Sequence, residues 1–394
     1  MTYPLSEAHA ADGARHARPR PIKIVINAFS ARIGGGRTYL ANLLRHLPDE
    51  PIEISLFAYD DFGIEDPRVK HVPVRWPVRN QITRRLWERF ALPRYLRASN
   101  ADVLFVPGGI VGTEAPEGCR VATMFRNMQP FDPMAQRGLG FGFQRLRNLL
   151  LRPAMLHSMA GADLTIFISG FAREFIERLI PIKHAVTIPH GVPDRFRTAT
   201  SASARPAVAG DGDYLLYVSR FEVYKHHRQV IDGFDRVPLE VRGDLRLLLA
   251  GETNYPEAKR MKAHVRALGL EDQVIFLGGV PYDQLPPLYR NARAILFASS
   301  CENCPNILLE AMGAGRPLLS SNVMPMPEFG GPDIAYFDPS DSDDLAAALT
   351  AVLTDDDHAK RIGRAAALRS ELYQWKTTGS RTWEALITLG RTDP

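Results

Sequence analysis

Glu302 and Glu310 stand with seven residues between them, flanking a proline and an amide side chain in Glu302-Asn303-Cys304-Pro305-Asn306-Ile307. Ahead of them lies the apolar run Ala294–Ala298, a pattern of a buried parallel strand, and behind them Leu308–Ala314 is made of good helix formers. Pro305 fits the first helical position, where its missing N–H costs nothing, so Asn306 and Ile307 are expected to present free amides. Such amides hold phosphate. The order is then an acid for sugar hydroxyls (Glu302), amides for a diphosphate, and an acid for ribose hydroxyls (Glu310), which is what a nucleotide-diphosphate sugar requires. Taken alone, the two acids would read as an electrostatic helix cap and a solvated face.

A second cluster follows the apolar run Tyr214–Val218, where Arg220 and Lys225 sit five residues apart at a strand end. Two fixed cations there can stabilise the charge that grows on a departing diphosphate. Alone they would be solvated surface charges. Near the start of the chain, Gly34-Gly35-Gly36 follows a strand and opens a helix, so backbone can approach a phosphate or sugar closely. It is neither the dinucleotide fingerprint nor the lysine-containing phosphate loop. The Asp-x-Asp at Asp211-Gly212-Asp213 falls in a polar linker, so no metal site is expected there.

Glu302, seven residues, then Glu310-Ala311-Met312-Gly313-Ala314-Gly315-Arg316-Pro317 resembles the signature of the retaining glycosyltransferases of family 4. The resemblance runs from about Pro21 to Leu389 and is most specific in the second half. It implies a GT-B fold, with two Rossmann-like doubly wound α/β domains facing each other across a cleft. It also implies catalytic roles for Arg220, Lys225 and Glu302, and donor binding by Glu310, Asn306, Ile307, Cys304, Pro305, Gly35, Gly36 and a base-binding loop at Gly278, Gly279 and Val280. Asn303-Cys304-Pro305 stands where the family usually has Gly-Phe-Gly, in the loop that meets the donor sugar. Arg126 and Asn127 stand where many members have His-Asp, and with Ser169 and His190 they are candidates to touch sugar or acceptor. Neither Arg126 nor Asn127 is a general base at neutral pH. No cofactor or metal is implied; the nucleotide sugar, carried by UDP or GDP, is a substrate.

The elements that position these residues are legible as strands alternating with helical patterns. Lys23–Asn27, Ile54–Ala58, Val103–Val106, Ala122–Phe125 and Leu164–Ile168 form one series. Tyr214–Val218, Leu245–Ala250, Val274–Leu277, Ala294–Ala298 and Pro317–Ser320 form another. This is the pattern of two parallel sheets covered by helices, with ligands at the carboxyl ends of the strands. The expected division is a loose basic tail over 1–20, an acceptor-binding domain over 21–196, a flexible linker over 197–213, a nucleotide-sugar domain over 214–372, and a helix over 373–394 that returns to the first domain.

Charge separates the halves: residues 1–200 carry 27 Lys/Arg against 18 Asp/Glu, and residues 201–394 carry 21 against 26. The basic residues of the first half gather in Arg75–Arg97, where Glu88 is the single acid, and in Arg137–Arg152, which has none; both stretches are interleaved with large apolar residues. Such segments suit an anionic membrane surface, and equally suit ordinary helices with a solvated basic side. No nucleic-acid motif accompanies them. The tail lacks the features of a secretory signal, and three cysteines fit a reducing compartment, so the expected location is cytoplasmic, with peripheral attachment to the inner membrane face if the basic segments bind lipid. The expected activity is hexose transfer from a nucleotide-diphosphate sugar to a glycan or lipid-linked saccharide in cell-surface polysaccharide synthesis. An epimerase or phosphorylase on the same fold, or a sugar-nucleotide-binding protein without turnover, are the alternatives, separated by donor consumption.

Overall fold

The computed structural model describes residues 20–31, 34–60, 62–138, 142–197 and 205–392. Two all-parallel sheets organise the chain. The first contains β1 (Ile22–Asn27), β2 (Ile52–Phe57), β3 (Val69–His71), β4 (Val103–Val106), β5 (Arg120–Phe125), β6 (Leu164–Phe167) and β7 (Ala185–Thr187), in the order β3-β2-β1-β4-β5-β6-β7. The second contains β8 (Tyr214–Val218), β9 (Arg246–Ala250), β10 (Val274–Gly278), β11 (Ala294–Phe297), β12 (Leu318–Ser321) and β13 (Ala335–Phe337), in the order β10-β9-β8-β11-β12-β13.

Each order runs outward from the first strand in one direction and then jumps back to its other side, so each sheet has a switch point, between β1 and β4 and between β8 and β11. Crevices for ligands open there, at the carboxyl ends of the strands. The central strands are buried throughout, as in β4 and β8, because helices cover both faces of a parallel sheet. Their sequences, Val-Leu-Phe-Val and Tyr-Leu-Leu-Tyr-Val, therefore lack the alternation of a half-exposed strand.

The helix Trp375–Arg391 leaves the second domain and packs on the first. Its buried Trp383 donates Nε1–H to the Leu43 carbonyl at 3.1 Å, and Thr382 and Tyr39 share a hydroxyl hydrogen bond at 3.3 Å. Where the two domains exchange chain, Val192 N–H donates to the Tyr373 carbonyl at 2.9 Å. The basic tail expected over 1–20 lies almost wholly outside the described residues, as does the linker over 198–204. The remainder of that linker is tied down: Arg205 Nε donates to the Gly210 carbonyl at 2.7 Å, and Arg246 Nη2 to the Ala209 carbonyl at 2.5 Å.

The helices of the basic stretches, Gln81–Phe90 and Phe143–Gly161, bury one side and expose another that is apolar as well as basic. Among the described residues no helix is long and apolar enough to cross a membrane.

Candidate active site

The carboxyl ends of the two sheets enclose a cavity of about 1130 Å³ between the domains. Its second-domain wall is assembled at the β8/β11 switch point. Chain leaving β8 forms the short turn Val223–Lys225, and chain leaving β11 forms the loop that carries Glu302. Adjacent strands deliver the two loops side by side. Ser300 N–H donates to the Tyr224 carbonyl at 2.9 Å, His226 Nε2 pairs with the Ser300 hydroxyl at 2.8 Å, and Tyr217 OH donates to the Lys225 carbonyl at 2.5 Å. The product of this stitching is a partly buried ion pair, Lys225 Nζ to Glu302 Oε1. The ammonium lies 5.3 Å from the Tyr224 ring centre and 5.5 Å from that of Phe297, so aromatic faces help hold a cation taken from water. Arg220 lines the same cavity.

The helix Asn306–Gly313 points its N-terminus into the cavity. Pro305 takes the capping position outside the helix (φ −79°, ψ 79°), not the first helical position expected from the sequence. That conformation closes a tight turn in which Asn306 N–H is spent on the Cys304 carbonyl at 3.0 Å. The free amides consequently shift by one residue. Ile307 and Leu308 have no backbone acceptor among the described residues, while Leu309 N–H already bonds to the Pro305 carbonyl at 3.0 Å. Asn306 contributes its side chain instead, accepting from His190 Nδ1–H at 3.0 Å.

One turn into that helix, Glu310 is buried, and burial pushes its carboxyl up to about 7, partly offset by a 2.7 Å hydrogen bond from Tyr282 OH and by Arg195. Tyr282 is itself held in place, with Arg195 4.8 Å above its ring centre. From the sequence, a base-binding loop is expected at Gly278, Gly279 and Val280. Gly278, Gly279 and Val280 lie outside the cavity wall, and a side chain at Gly279 would abut the Glu252 carboxylate; Tyr282 and Leu285 reach the cavity in their place. Tyr282 was missed by sequence reasoning, although an aromatic beyond Pro281 at a strand's carboxyl end was a usable signal.

From the first domain come Gly34 and Gly35. Gly34, at φ +63°, turns the chain into the helix Gly35–Arg45, and a β-carbon on Gly35 would come within 3.0 Å of Asn306 Nδ2. Gly36 lies beneath, where a β-carbon would meet the Arg126 guanidinium at 2.9 Å. Of the four sugar or acceptor candidates, none forms part of the cavity wall. Ser169 is fully buried and caps the helix Gly170–Glu177, because the loop after β6 turns inward. His190 is stacked between Tyr39 and Trp375, each ring centre 5.4 Å away, and burial beside Arg126 lowers its pKa to about 3, so it is neutral. Arg126 lies over the Tyr39 ring, its Nε without an acceptor, and Asn127 turns back to accept from Gln129 N–H at 3.1 Å. Cys304 lines the cavity as a thiol whose pKa burial raises to about 12.

Two family models match the chain. Residues 200–369 match Glycosyl transferases group 1, and residues 33–196 match Glycosyltransferase Family 4. The chain belongs to this glycosyltransferase family. It is 27% identical over 242 residues to O-antigen chain mannosyltransferase B of Escherichia coli, covering 60% of this chain and 63% of that protein. A similar match, 28% over 242 residues, links it to a GDP-mannose-dependent alpha-(1-6)-phosphatidylinositol monomannoside mannosyltransferase of Mycobacterium tuberculosis, covering 57% and 60%. The chain thus spans less than two thirds of the length of either curated relative. Sucrose-phosphate synthase from Thermosynechococcus elongatus shares the fold, with a TM-score of 0.72 at 20% identity over 94% of this chain and 99% of that one. The chain therefore has the GT-B fold, with the cavity between its two Rossmann-like domains.

Proposed function

We propose that this enzyme transfers a hexose, with retention of anomeric configuration, from a nucleotide-diphosphate sugar to a glycan or lipid-linked saccharide acceptor of a cell-surface polysaccharide. The observation that carries the proposal is the partly buried Lys225–Glu302 pair beside Arg220, at the N-terminus of the helix that holds Glu310. In this reading Arg220, Lys225 and the amides of Ile307 and Leu308 hold the diphosphate, Glu310 takes the ribose hydroxyls, and Glu302 the hydroxyls of the hexose. As the bond from anomeric carbon to phosphate oxygen breaks, charge grows on the leaving phosphate where two cations are already fixed, so no metal is required. The acceptor oxygen attacks from the same face and its proton passes to the leaving phosphate. His190, neutral and outside the cavity wall, takes no part in that transfer.

The mannosyltransferase names among the relatives favour GDP-mannose over a UDP-sugar as donor. The acceptor side favours a lipid-linked substrate at an anionic membrane face. Ile82, Leu86 and Phe90 are exposed at helical spacing on Gln81–Phe90, and Leu146, Leu149 and Leu150 on Phe143–Gly161, each beside exposed arginines. Glu88, the single acid of the first stretch, points inward and accepts from Asn27 Nδ2–H at 3.0 Å, so the helix itself shows no carboxylate outward, although exposed Glu114 pairs with its Arg89.

The test is thermal stabilisation by GDP-mannose, UDP-glucose and ADP-glucose in the presence of a chelator. A donor at a hundredfold excess over its Kd adds about 2.7 kcal/mol to stability. One donor should raise Tm, and Glu310→Ala and Lys225→Ala should each abolish the rise. No rise with any donor, or an unchanged rise in both variants, contradicts the assignment.

A further inference from the structure

Asn303 is the residue between catalytic Glu302 and cavity-lining Cys304, and its side chain faces away from the cavity. It reaches across to the other domain. Nδ2–H donates to the Phe125 carbonyl at 3.1 Å, and Oδ1 accepts from the Ser169 hydroxyl at 3.1 Å. Both partners stand at the carboxyl ends of neighbouring first-domain strands, β5 and β6, and Asn303 is only 5% exposed. Ser169 Oγ in turn accepts from Ala172 N–H at 3.2 Å as the cap of Gly170–Glu177.

A second link falls on the same helix. Glu328, from the second domain, accepts from Gly170 N–H at 2.7 Å and from Phe171 N–H at 2.9 Å. A carboxylate over the two leading amides of a helix is well placed both for hydrogen bonding and for the helix dipole. One first-domain helix end is thus gripped at two points from across the cleft, and one grip is the immediate neighbour of Glu302. Separation of the domains would break these four hydrogen bonds and leave the Glu302 loop unsupported on that side. The family to which this chain is similar usually has glycine at the position of Asn303, and glycine has no side chain with which to form such a link.

We propose that Asn303 is a positioning residue that couples placement of Glu302 to closure of the two domains, with Glu328 as the other half of the clasp. The proposal rests on the assignment of Glu302 to the donor sugar. Because the diphosphate and ribose contacts come from Arg220, Lys225 and Glu310, loss of the Asn303 link should leave nucleotide affinity intact and lower turnover. A displacement of about 1 Å in a reacting group costs on the order of 100-fold in rate.

The experiment compares wild type with Asn303→Asp, which keeps the shape but sets an oxygen against the Phe125 carbonyl, and with Ser169→Ala. Three quantities are read: Kd for GDP and UDP by calorimetry, release of GDP from GDP-mannose and of UDP from UDP-glucose, and amide hydrogen exchange over 164–177. The expected result for Asn303→Asp is a Kd within twofold of wild type, turnover lower by on the order of 10- to 100-fold, and faster exchange at the start of the Gly170–Glu177 helix. Ser169→Ala should move in the same direction by less. Unchanged exchange in Asn303→Asp overturns the clasp; faster exchange with unchanged turnover overturns the positioning role. If wild type binds neither nucleotide and consumes neither sugar nucleotide, the donor reading falls and the positioning role with it, while the exchange data still decide whether Asn303 holds the domains together.

Discussion

The two walls of the cleft are built on different physical terms. In the second domain two functional groups are buried and already paired: Lys225 with Glu302, Glu310 with Tyr282. In the first domain the cavity wall joins backbone at Gly34 and Gly35 to exposed basic side chains such as Arg37 and Arg45, and the outlying helices show apolar and basic side chains to solvent. A donor with a fixed diphosphate can be met by a preorganised polar site, whose groups need little rearrangement during reaction. An extended or lipid-linked acceptor asks instead for a surface.

The largest effect that would break this comparison is on Lys225. Lys225→Ala removes a cation from the leaving phosphate and strands Glu302, and should lower turnover by roughly 100- to 1000-fold, read as nucleotide release per enzyme. A variant within tenfold of wild type would mean that the pair is structural.

Glu310 gives a pH-dependent test of the same wall. Its carboxyl titrates near 4.5 in the unfolded chain and at about 7 in the fold. Between those values the unfolded chain has released a proton that the folded chain retains, so this group's contribution to stability falls as pH rises from about 4.5 to about 7 and is constant above. Glu310→Gln should therefore be more stable than wild type at pH 8, by up to about 3 kcal/mol, with the difference vanishing near pH 4. Denaturant unfolding at the two pH values measures this. Nucleotide affinity of wild type should move the other way, strengthening as pH passes 7 and the carboxylate forms to accept ribose hydroxyls.

Effects on the first-domain surface are smaller and should leave the donor site alone. Ile82→Ser with Leu86→Ser should weaken binding to vesicles containing anionic lipid roughly tenfold, with Kd for nucleotide unchanged. Arg85→Gln should cost about 1 kcal/mol of the same binding, and only at low salt. Equal binding to neutral and anionic vesicles would remove the electrostatic half of the comparison.

The same contrast governs what the sequence could disclose. Central strands such as β4 and β8 are uninterrupted apolar runs, and their ends can be read from pattern alone. The three-residue edge strands β3, β7 and β13 have no such run and owe their existence to a neighbouring strand. Glu302 and Glu310 are legible because one helix start fixes them both. That Lys225 meets Glu302, 77 residues away, depends on β8 lying next to β11, which no local pattern contains. Ser169 and His190 illustrate the converse. Each follows a strand and so resembles a cleft residue, yet loop direction, set by tertiary packing, turns both inward. Asn303 is conspicuous in sequence as a departure from glycine, but its partners Phe125 and Ser169 become visible only when the two domains are set face to face.

The central claim is that a metal-independent donor site is assembled around Lys225 and Glu302. Its most direct test is release of nucleotide from GDP-mannose and UDP-glucose in the presence of a chelator, by wild type and Lys225→Ala in parallel. The account predicts release by wild type from one of the two donors and loss of at least a hundredfold in the variant. Release that stops with the chelator, or that survives the loss of Lys225, would contradict it.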